Sequence, residues 1–382
     1  MPHVDPLRHT VLRGLAAAGF MMWAMSSPAQ AAAGAGERLG FVVRDFFIAQ
    51  YNSRFSDECP EGLSKSNDEL WWRGLSKADR ERLTNNGLRG ADSRGGLAQL
   101  RGPKGENVCV NPDVVTDPPL RTIRGKYSYG ANLDGTTDGR ATPKSCAHDK
   151  FVGMDDQTAV DNQLYRLVGC VYGWRKGGYI ETQASEDRGV SSLGMILIEI
   201  TGVDDRKNDD DVTVAFYRSI DLFPMDGSGK PLPYQSYRVA ADDNGKPDYG
   251  DKVKGKIVNG VLTTARGDVA LPYYGLYTFM NPVIKDFGLS LDVSADTKQA
   301  PGLITGYYSM SDFLNFMGGM AGHTSAFDNC PAMWAMAPKM ADGYPDPQTG
   351  QCTMLSAAFD IGAYAAFAVL PADAKSMKTA NR

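Results

Sequence analysis

The 382-residue sequence predicts a mainly β protein: an antiparallel β-sandwich, jelly-roll-like, with a small helical and loop region before it and a helical segment after it. Three observations lead to this prediction. Short β-branched runs with turn signals every 8–15 residues or so are typical of sandwiches, and they occupy residues 179–310. Strands do not alternate with helices, which disfavours a doubly wound nucleotide fold. The composition, 42% hydrophobic and 22% charged, is that of a folded globular protein.

The first 31 residues have the three parts of a secretory signal peptide. Arg8 and Arg13 give a weakly positive start, residues 15–25 form an apolar run, and residues 29–31 (Ala-Gln-Ala) offer a cleavage site. An uncleaved anchor is the alternative, but the run is well short of the roughly 20 residues that span a bilayer. We therefore predict an exported protein, periplasmic or secreted, with no transmembrane segment after cleavage.

Residues 32–178 are expected to form a helix and loop region tied by disulfides. A strand is expected at residues 41–49. Two helices are expected within residues 66–87, where Ser66 caps the first and Ser76 with Asp79 opens the second. Residues 88–150 are rich in Gly, Asp, Asn and Pro. So long an irregular stretch is usually functional, ion-bound or cross-linked.

Residues 179–310 are predicted to form the sandwich. Strands are expected at residues 195–203, 212–218, 289–293 and 303–308. The clearest hairpin lies at residues 254–264, because Asn259-Gly260 between two β-branched runs suits a type I′ turn.

Residues 311–382 are predicted to be a helical segment packed on the sandwich. Ser311 and Asp312 can cap a first helix, and a second is expected at residues 332–340. Residues 354–370 are apolar on all sides. That pattern fits a buried helix as well as a pair of strands.

Six cysteines in a chain with an export signal predict three disulfides. We favour a local bridge between Cys330 and Cys352. The four earlier cysteines are then expected to pair among themselves, and the sequence does not choose how. These four are Cys59, Cys109, Cys146 and Cys170.

The sequence lacks the common catalytic motifs. After residue 31 it holds two histidines, His148 and His323, and it contains no G-x-S-x-G elbow, no H-E-x-x-H helix and no P-loop. A net charge of -5 without a long basic run disfavours nucleic-acid binding. We therefore favour a non-catalytic binding or structural protein. The alternative is an exported polysaccharide hydrolase that uses a pair of carboxylates.

Acidic loops are the most visible polar feature, and calcium prefers such oxygen ligands. The first candidate calcium site lies in the long irregular region and comprises Asn132, Asp134, Asp138, Asp155, Asp156 and Asp161. The second lies between two predicted strands and comprises Asp204, Asp205, Asp209 and Asp211. The alternative interpretation is that both sets are ordinary solvated turns.

Two further features suggest ligands. Met317, Met320 and His323 follow one another at three-residue intervals, and thioethers select Cu(I), so a periplasmic copper site is a third hypothesis. Ordinary core packing of the methionines is its alternative. Aromatic residues in or beside predicted loops, such as Tyr273 and Tyr274, can stack on sugars. They suggest a carbohydrate or another cell-surface component as the unknown ligand.

Overall fold

The computed structural model describes residues 36–51, 55–87, 104–109, 111–115, 119–154, 158–276, 278–294, 298–320 and 329–373. The predicted signal peptide lies outside these residues, and so do Asp155, Asp156 and His323. The side chain of Met320 is also outside the described part.

Strands dominate the fold. They are β1 (Glu37–Ile48), β2 (Ile196–Val203), β3 (Asn208–Arg218), β4 (Gln235–Arg238), β5 (Lys252–Val258), β6 (Val261–Thr264), β7 (Gly267–Ala270), β8 (Tyr273–Gly275), β9 (Thr278–Met280), β10 (Val283–Asp292), β11 (Gln299–Ser309), β12 (Gly343–Pro345) and β13 (Cys352–Val369). The helices are α1 (Phe55–Glu58), α2 (Asn67–Gly74), α3 (Lys77–Asn85), α4 (Gln163–Val168), α5 (Tyr179–Val190), α6 (Met310–Met320) and α7 (Cys330–Met340).

Eight strands form a closed antiparallel barrel. Their hydrogen-bonded order is β1-β2-β3-β5-β6-β10-β11-β13, and β1 pairs with β13 to close the ring. The mainly β prediction is confirmed, but the sandwich prediction is wrong. Alternation along a strand shows which side chains share a face, and it does not show which strands meet. The two strands that close the ring, β1 and β13, lie outside residues 179–310. Residues 354–369 belong to the single strand β13, so this stretch is neither a helix nor a pair of strands.

Apolar side chains fill most of the barrel interior. Ile198 faces this core, and its cross-strand partners Phe41 and Phe216 face it as well. Leu197, one residue earlier, belongs to a second cluster on the outer face. Eight strands give an interior just wide enough for side chains to fill. The interior is therefore a packed core for most of its length.

Local signals for helices and turns are confirmed. Ser66 Oγ accepts the Glu69 N–H at 3.2 Å, and Ser76 Oγ accepts the Asp79 N–H at 3.1 Å, so both helix caps form. The Asn259-Gly260 turn joins β5 to β6 with positive φ at both residues, 52° and 81°, as type I′ requires. Among the helices of the described ranges, none has the length and apolar character needed to cross a membrane.

Three disulfides form, as the cysteine count predicts, and they are typical of an oxidising, exported environment. The pairs are Cys59–Cys170, Cys109–Cys330 and Cys146–Cys352. The predicted Cys330–Cys352 bridge is wrong, because both cysteines reach back to the irregular N-terminal region. The bridged residues are 221 and 206 positions apart, so proximity along the chain was a poor guide. The bridges tie that region to α7 and to the start of β13.

Candidate functional site

Two predicted calcium ligands meet in a buried group of charged side chains on the outer face of the barrel. We call this group the ion cluster, and it comprises Asp134, His148, Lys150, Asp161 and Asp342. The three carboxylates have no exposed side-chain surface, while His148 and Lys150 keep 6% and 7%. Asp342 Oδ1 accepts the N–H of Ser356 on β13 at 2.6 Å, which fixes the cluster to the barrel wall.

The ammonium of Lys150 lies between two of the carboxylates. Its Nζ donates to Asp134 Oδ1 at 2.6 Å and also contacts Asp161 Oδ1. The second oxygen of Asp161 accepts the Leu133 N–H at 2.8 Å. Burial raises the pKa of Asp134, but hydrogen bonds from Lys150 and Thr136 outweigh burial and hold this pKa below its usual value. A lysine ammonium therefore lies between these two predicted calcium ligands.

Both ring nitrogens of His148 face oxygen atoms. Nδ1 lies 2.8 Å from the Cys146 carbonyl oxygen, and Nε2 lies 2.8 Å from Asp161 Oδ1. Asp342 Oδ2 is 3.6 Å from the same Nε2. Burial disfavours the charged ring, but the hydrogen bond to Asp161 and the charge of Asp342 outweigh it and raise the pKa of His148.

Two buried oxygen atoms in or beside the ion cluster lack a hydrogen-bond partner among the described residues. Burial raises the pKa of Asp342 to about 6, although the charge of His148 and the hydrogen bond from Ser356 oppose the change. Among the described residues, neither Asp342 Oδ2 nor the hydroxyl of Tyr307 has a hydrogen-bond partner. Burial and the nearby carboxylates, Asp342 first, raise the pKa of the Tyr307 phenol far above its usual value. Unsatisfied buried polar atoms of this kind call for an explanation.

The titration of Asp342 predicts a pH dependence of stability in metal-free protein. Its pKa is 3.8 when unfolded and about 6 when folded, so the folded state holds the proton more tightly. The resulting stabilisation is complete below the unfolded value and is lost as pH rises through the folded value. We expect the free energy of unfolding to fall by about 2 to 3 kcal/mol between pH 4 and pH 7 from this group. His148, whose pKa is also raised, continues the loss above 6.5.

Urea unfolding between pH 4 and pH 8, in buffer with chelator, measures this dependence. Asp342→Asn removes the titrating carboxyl group and keeps the shape of the side chain. The fall in the free energy of unfolding between pH 4 and pH 7 should therefore be about 2 to 3 kcal/mol smaller in this variant than in the wild type. An equally steep fall in that variant would contradict the assignment.

The other described members of the first predicted calcium set serve in turns. Asn132 Oδ1 accepts the Gly135 N–H at 2.9 Å, and Asp138 Oδ1 accepts a backbone N–H at 3.2 Å. Of the described members, Asp134 and Asp161 are the two that meet. Calcium binding here stays a prediction, which elemental analysis of protein purified without chelator can test.

The second predicted calcium set lies at the turn between β2 and β3. The Asp209 carboxylate accepts the N–H groups of Asp204 at 2.7 Å and Asp211 at 3.1 Å, and these donors lower its pKa. Asp205 Oδ1 accepts the Lys207 N–H at 2.8 Å. Protein donors already engage these carboxylates, and a calcium ion at this turn stays a prediction.

Of the three predicted copper ligands, only the side chain of Met317 belongs to the described part of the chain. Met317 is buried in the core on α6. The side chain of Met320 and the whole of His323 lie outside the part of the chain that the structure describes.

An apolar cavity of about 50 Å³ lies at one end of the barrel interior, and we call it the mouth pocket. Inward-facing side chains of four neighbouring strands line it: Phe46 and Ile48 on β1, Ile284 on β10, Tyr308 on β11 and Phe359 on β13. Trp174 and two phenylalanines of α6 also line it. Mouths of β-barrels are common sites for small ligands.

Trp174 is the one tryptophan among the described residues that line this pocket. The ring packs against Phe313 and Phe316 of α6, with centroid distances of 5.9 and 5.8 Å. The side chain of Gln50 fixes the backbone by donating to the Trp174 carbonyl oxygen. Trp174 Nε1 is buried and has no hydrogen-bond partner among the described residues. A buried donor without an acceptor costs about 1–3 kcal/mol.

An open groove on the barrel surface is lined by an exposed aromatic ring and polar side chains, and carbohydrate binding stays a prediction. Phe279, 44% exposed, lines it together with Asn281 and two carboxylates. Asp248 pairs with Arg218 at 2.6 Å, and Asp251 Oδ2 accepts a backbone N–H at 2.7 Å. Both carboxylates thus have structural partners, and the polysaccharide hydrolase stays an untested alternative.

Comparison of the chain with known protein families, with curated proteins and with solved structures finds no match. The chemistry of the described residues is therefore the basis for any functional proposal.

Proposed function

We propose that this chain is an exported, non-catalytic binding protein whose ligand occupies the mouth pocket. The ligand class is a small, mainly apolar molecule with one oxygen acceptor. The observation that carries the proposal is the buried Trp174 Nε1, which lacks a partner among the described residues in a pocket otherwise lined by apolar and aromatic groups. A ligand oxygen would supply the missing acceptor, and the apolar lining would exclude water.

The cavity limits the size of the ligand. A cavity needs roughly 10–15 Å³ to hold one water molecule. The mouth pocket, at about 50 Å³, therefore holds only a few non-hydrogen atoms without movement of its lining. Phe313 and Phe316 cover the pocket from α6, and their rings would have to shift for a long chain. A six-membered ring with one carbonyl group also requires these rings to shift, because a cavity that holds benzene measures about 150 Å³, but it requires less movement than a fatty acid does.

Cyclohexanone and methylcyclohexane form a matched pair of probes, because they share size and shape and differ in the oxygen. We expect cyclohexanone to shift the indole N–H resonance of Trp174 in nuclear magnetic resonance spectra. Trp174→Phe should weaken cyclohexanone binding about tenfold, the equivalent of one hydrogen bond of about 1.4 kcal/mol. The same substitution should not weaken methylcyclohexane binding, because that probe has no oxygen to accept the hydrogen bond.

Trp72→Phe is the control variant, because Trp72 lies on α2 and does not line the pocket. Equal binding of cyclohexanone by the wild type and Trp174→Phe would refute the assigned role of the indole. Failure of both probes to bind would refute the pocket.

A further inference from the structure

The ion cluster contains more acceptors than its own donors satisfy. The Lys150 ammonium serves Asp134 and Asp161, and His148 Nε2 faces Asp161. Asp342 Oδ2 then remains without a donor among the described residues, although its side chain is fully buried. With His148 charged, two cations face three carboxylates. The cluster then has one carboxylate more than it has cations, and all three carboxylates are fully buried.

Three residues of the cluster bring ligand atoms close together. Ligand atoms from Asp134, His148 and Asp161 lie within 4.8 Å of one another. Asp342 Oδ2 lies 3.6 Å from His148 Nε2 but outside this 4.8 Å group, so it would have to move closer to the other carboxylates to complete a set of four ligands. Tetrahedral ligands with bonds near 2.1 Å lie about 3.4 Å apart. The distances from His148 Nε2 to Asp161 Oδ1 and Asp342 Oδ2, 2.8 and 3.6 Å, are within about 0.6 Å of that value. The buried Tyr307 hydroxyl, also without a partner among the described residues, lies near these carboxylates.

We propose that the ion cluster is a binding site for a divalent transition metal, with zinc as its probe, and that the metal displaces the Lys150 ammonium. The ligands are Asp134, His148, Asp161 and Asp342. This proposal does not rest on the mouth pocket.

The donor set favours zinc over calcium. An imidazole nitrogen suits zinc, whereas calcium takes six to eight oxygen atoms, and Asn132 and Asp138 are engaged in turns. His148 Nδ1 lies 2.8 Å from the Cys146 carbonyl oxygen. A hydrogen bond from Nδ1–H to that oxygen orients the ring and leaves Nε2 for the metal, as histidine ligands commonly do.

The exchange replaces one cation of the cluster with another. In the metal-free cluster the Lys150 ammonium lies between the carboxylates of Asp134 and Asp161. When a divalent ion enters, the ammonium swings into solvent, His148 presents an unprotonated Nε2 to the metal, and any proton on that nitrogen passes to the buffer. Lys150 can make this movement because its side chain is long and 7% exposed, which places it at the rim of the cluster.

The experiment is a titration of chelator-treated protein with zinc chloride by calorimetry, with elemental analysis for stoichiometry. We expect one zinc ion per chain. Asp342→Asn keeps the shape and the Ser356 contact, and it should weaken zinc binding at least tenfold. Lys150→Met removes the competing ammonium and should tighten binding at least tenfold. Zinc should also raise the melting temperature of this variant more than that of the wild type.

Asp138→Asn is the control, because Asp138 is a predicted calcium ligand that lies outside the ion cluster. This variant should bind zinc with the same affinity as the wild type. The comparison of wild type with Asp342→Asn stands even if Lys150→Met fails to fold. The proposal is overturned if the wild type binds no zinc, or if Asp342→Asn binds it equally well. Preferential binding of calcium that Asp138→Asn abolishes would also overturn it.

Discussion

Replacing Lys150 with methionine is expected to lower the free energy of unfolding by about 3 to 5 kcal/mol in metal-free protein. Methionine keeps most of the length of the side chain but removes the ammonium. Asp134 and Asp161 then lose the cation that they share, while both remain buried beside the barrel wall. Removing one partner of a buried ion pair is costly because the remaining charge is left without compensation. Urea unfolding in buffer with chelator measures the change.

Lys144→Met is the matched control for this prediction. Lys144 lies in the same loop and pairs with Asp286 at 3.1 Å, but its side chain is 58% exposed. An exposed ion pair contributes about 1 kcal/mol at most, so the control should lose no more than that. If the two variants lose the same stability, the ion cluster does not hold the loop in place.

Removing the Cys146–Cys352 disulfide is expected to cost about 4 kcal/mol, the value for a bridge that closes a long loop. The bridge spans 206 positions and joins the loop that carries His148 and Lys150 to the start of β13. Its loss frees this loop in the unfolded chain and loosens the ion cluster in the folded one. Unfolding of Cys146→Ala/Cys352→Ala, compared with the wild type under oxidising conditions, measures the effect.

A second double variant tests the pairing itself. Cys330→Ala/Cys352→Ala would remove one bridge if these residues were partners, but here it breaks two and leaves Cys109 and Cys146 unpaired. We therefore expect a larger loss of stability than in Cys146→Ala/Cys352→Ala, and two additional thiols on titration of the denatured protein. The absence of new thiols would support the local Cys330–Cys352 bridge instead.

Short-range patterns in the sequence specify local structure well. Ser66 and Ser76 form the predicted caps because a cap needs only a hydroxyl and the backbone N–H three residues later. Asn259-Gly260 forms the predicted turn because both residues tolerate positive φ. The predominance of strands follows from β-branched runs in the same way. These features depend on neighbouring residues, so they can be predicted without the fold.

The ion cluster depends on contacts that local patterns do not specify. Asp134 and Asp161 were predicted as cation ligands from an acidic, irregular stretch, and they do meet. His148 and Lys150 lie two residues apart in the same stretch, so in extended backbone they share a face, which was an available signal. Asp342 and the barrel residue Tyr307 join them from far along the chain, and no local pattern marks either.

The sequence by itself determined the local elements, the number of disulfides and the mainly β character. Only the tertiary structure decided that eight strands close into a barrel, which cysteines pair, and that a lysine lies between the predicted cation ligands. The physical reason is the same in each case. Ring closure, disulfide pairing and burial of charge are set by contacts between distant segments, such as β1 with β13 or Cys146 with Cys352. These contacts depend on packing of the whole chain rather than on the preferences of neighbouring residues.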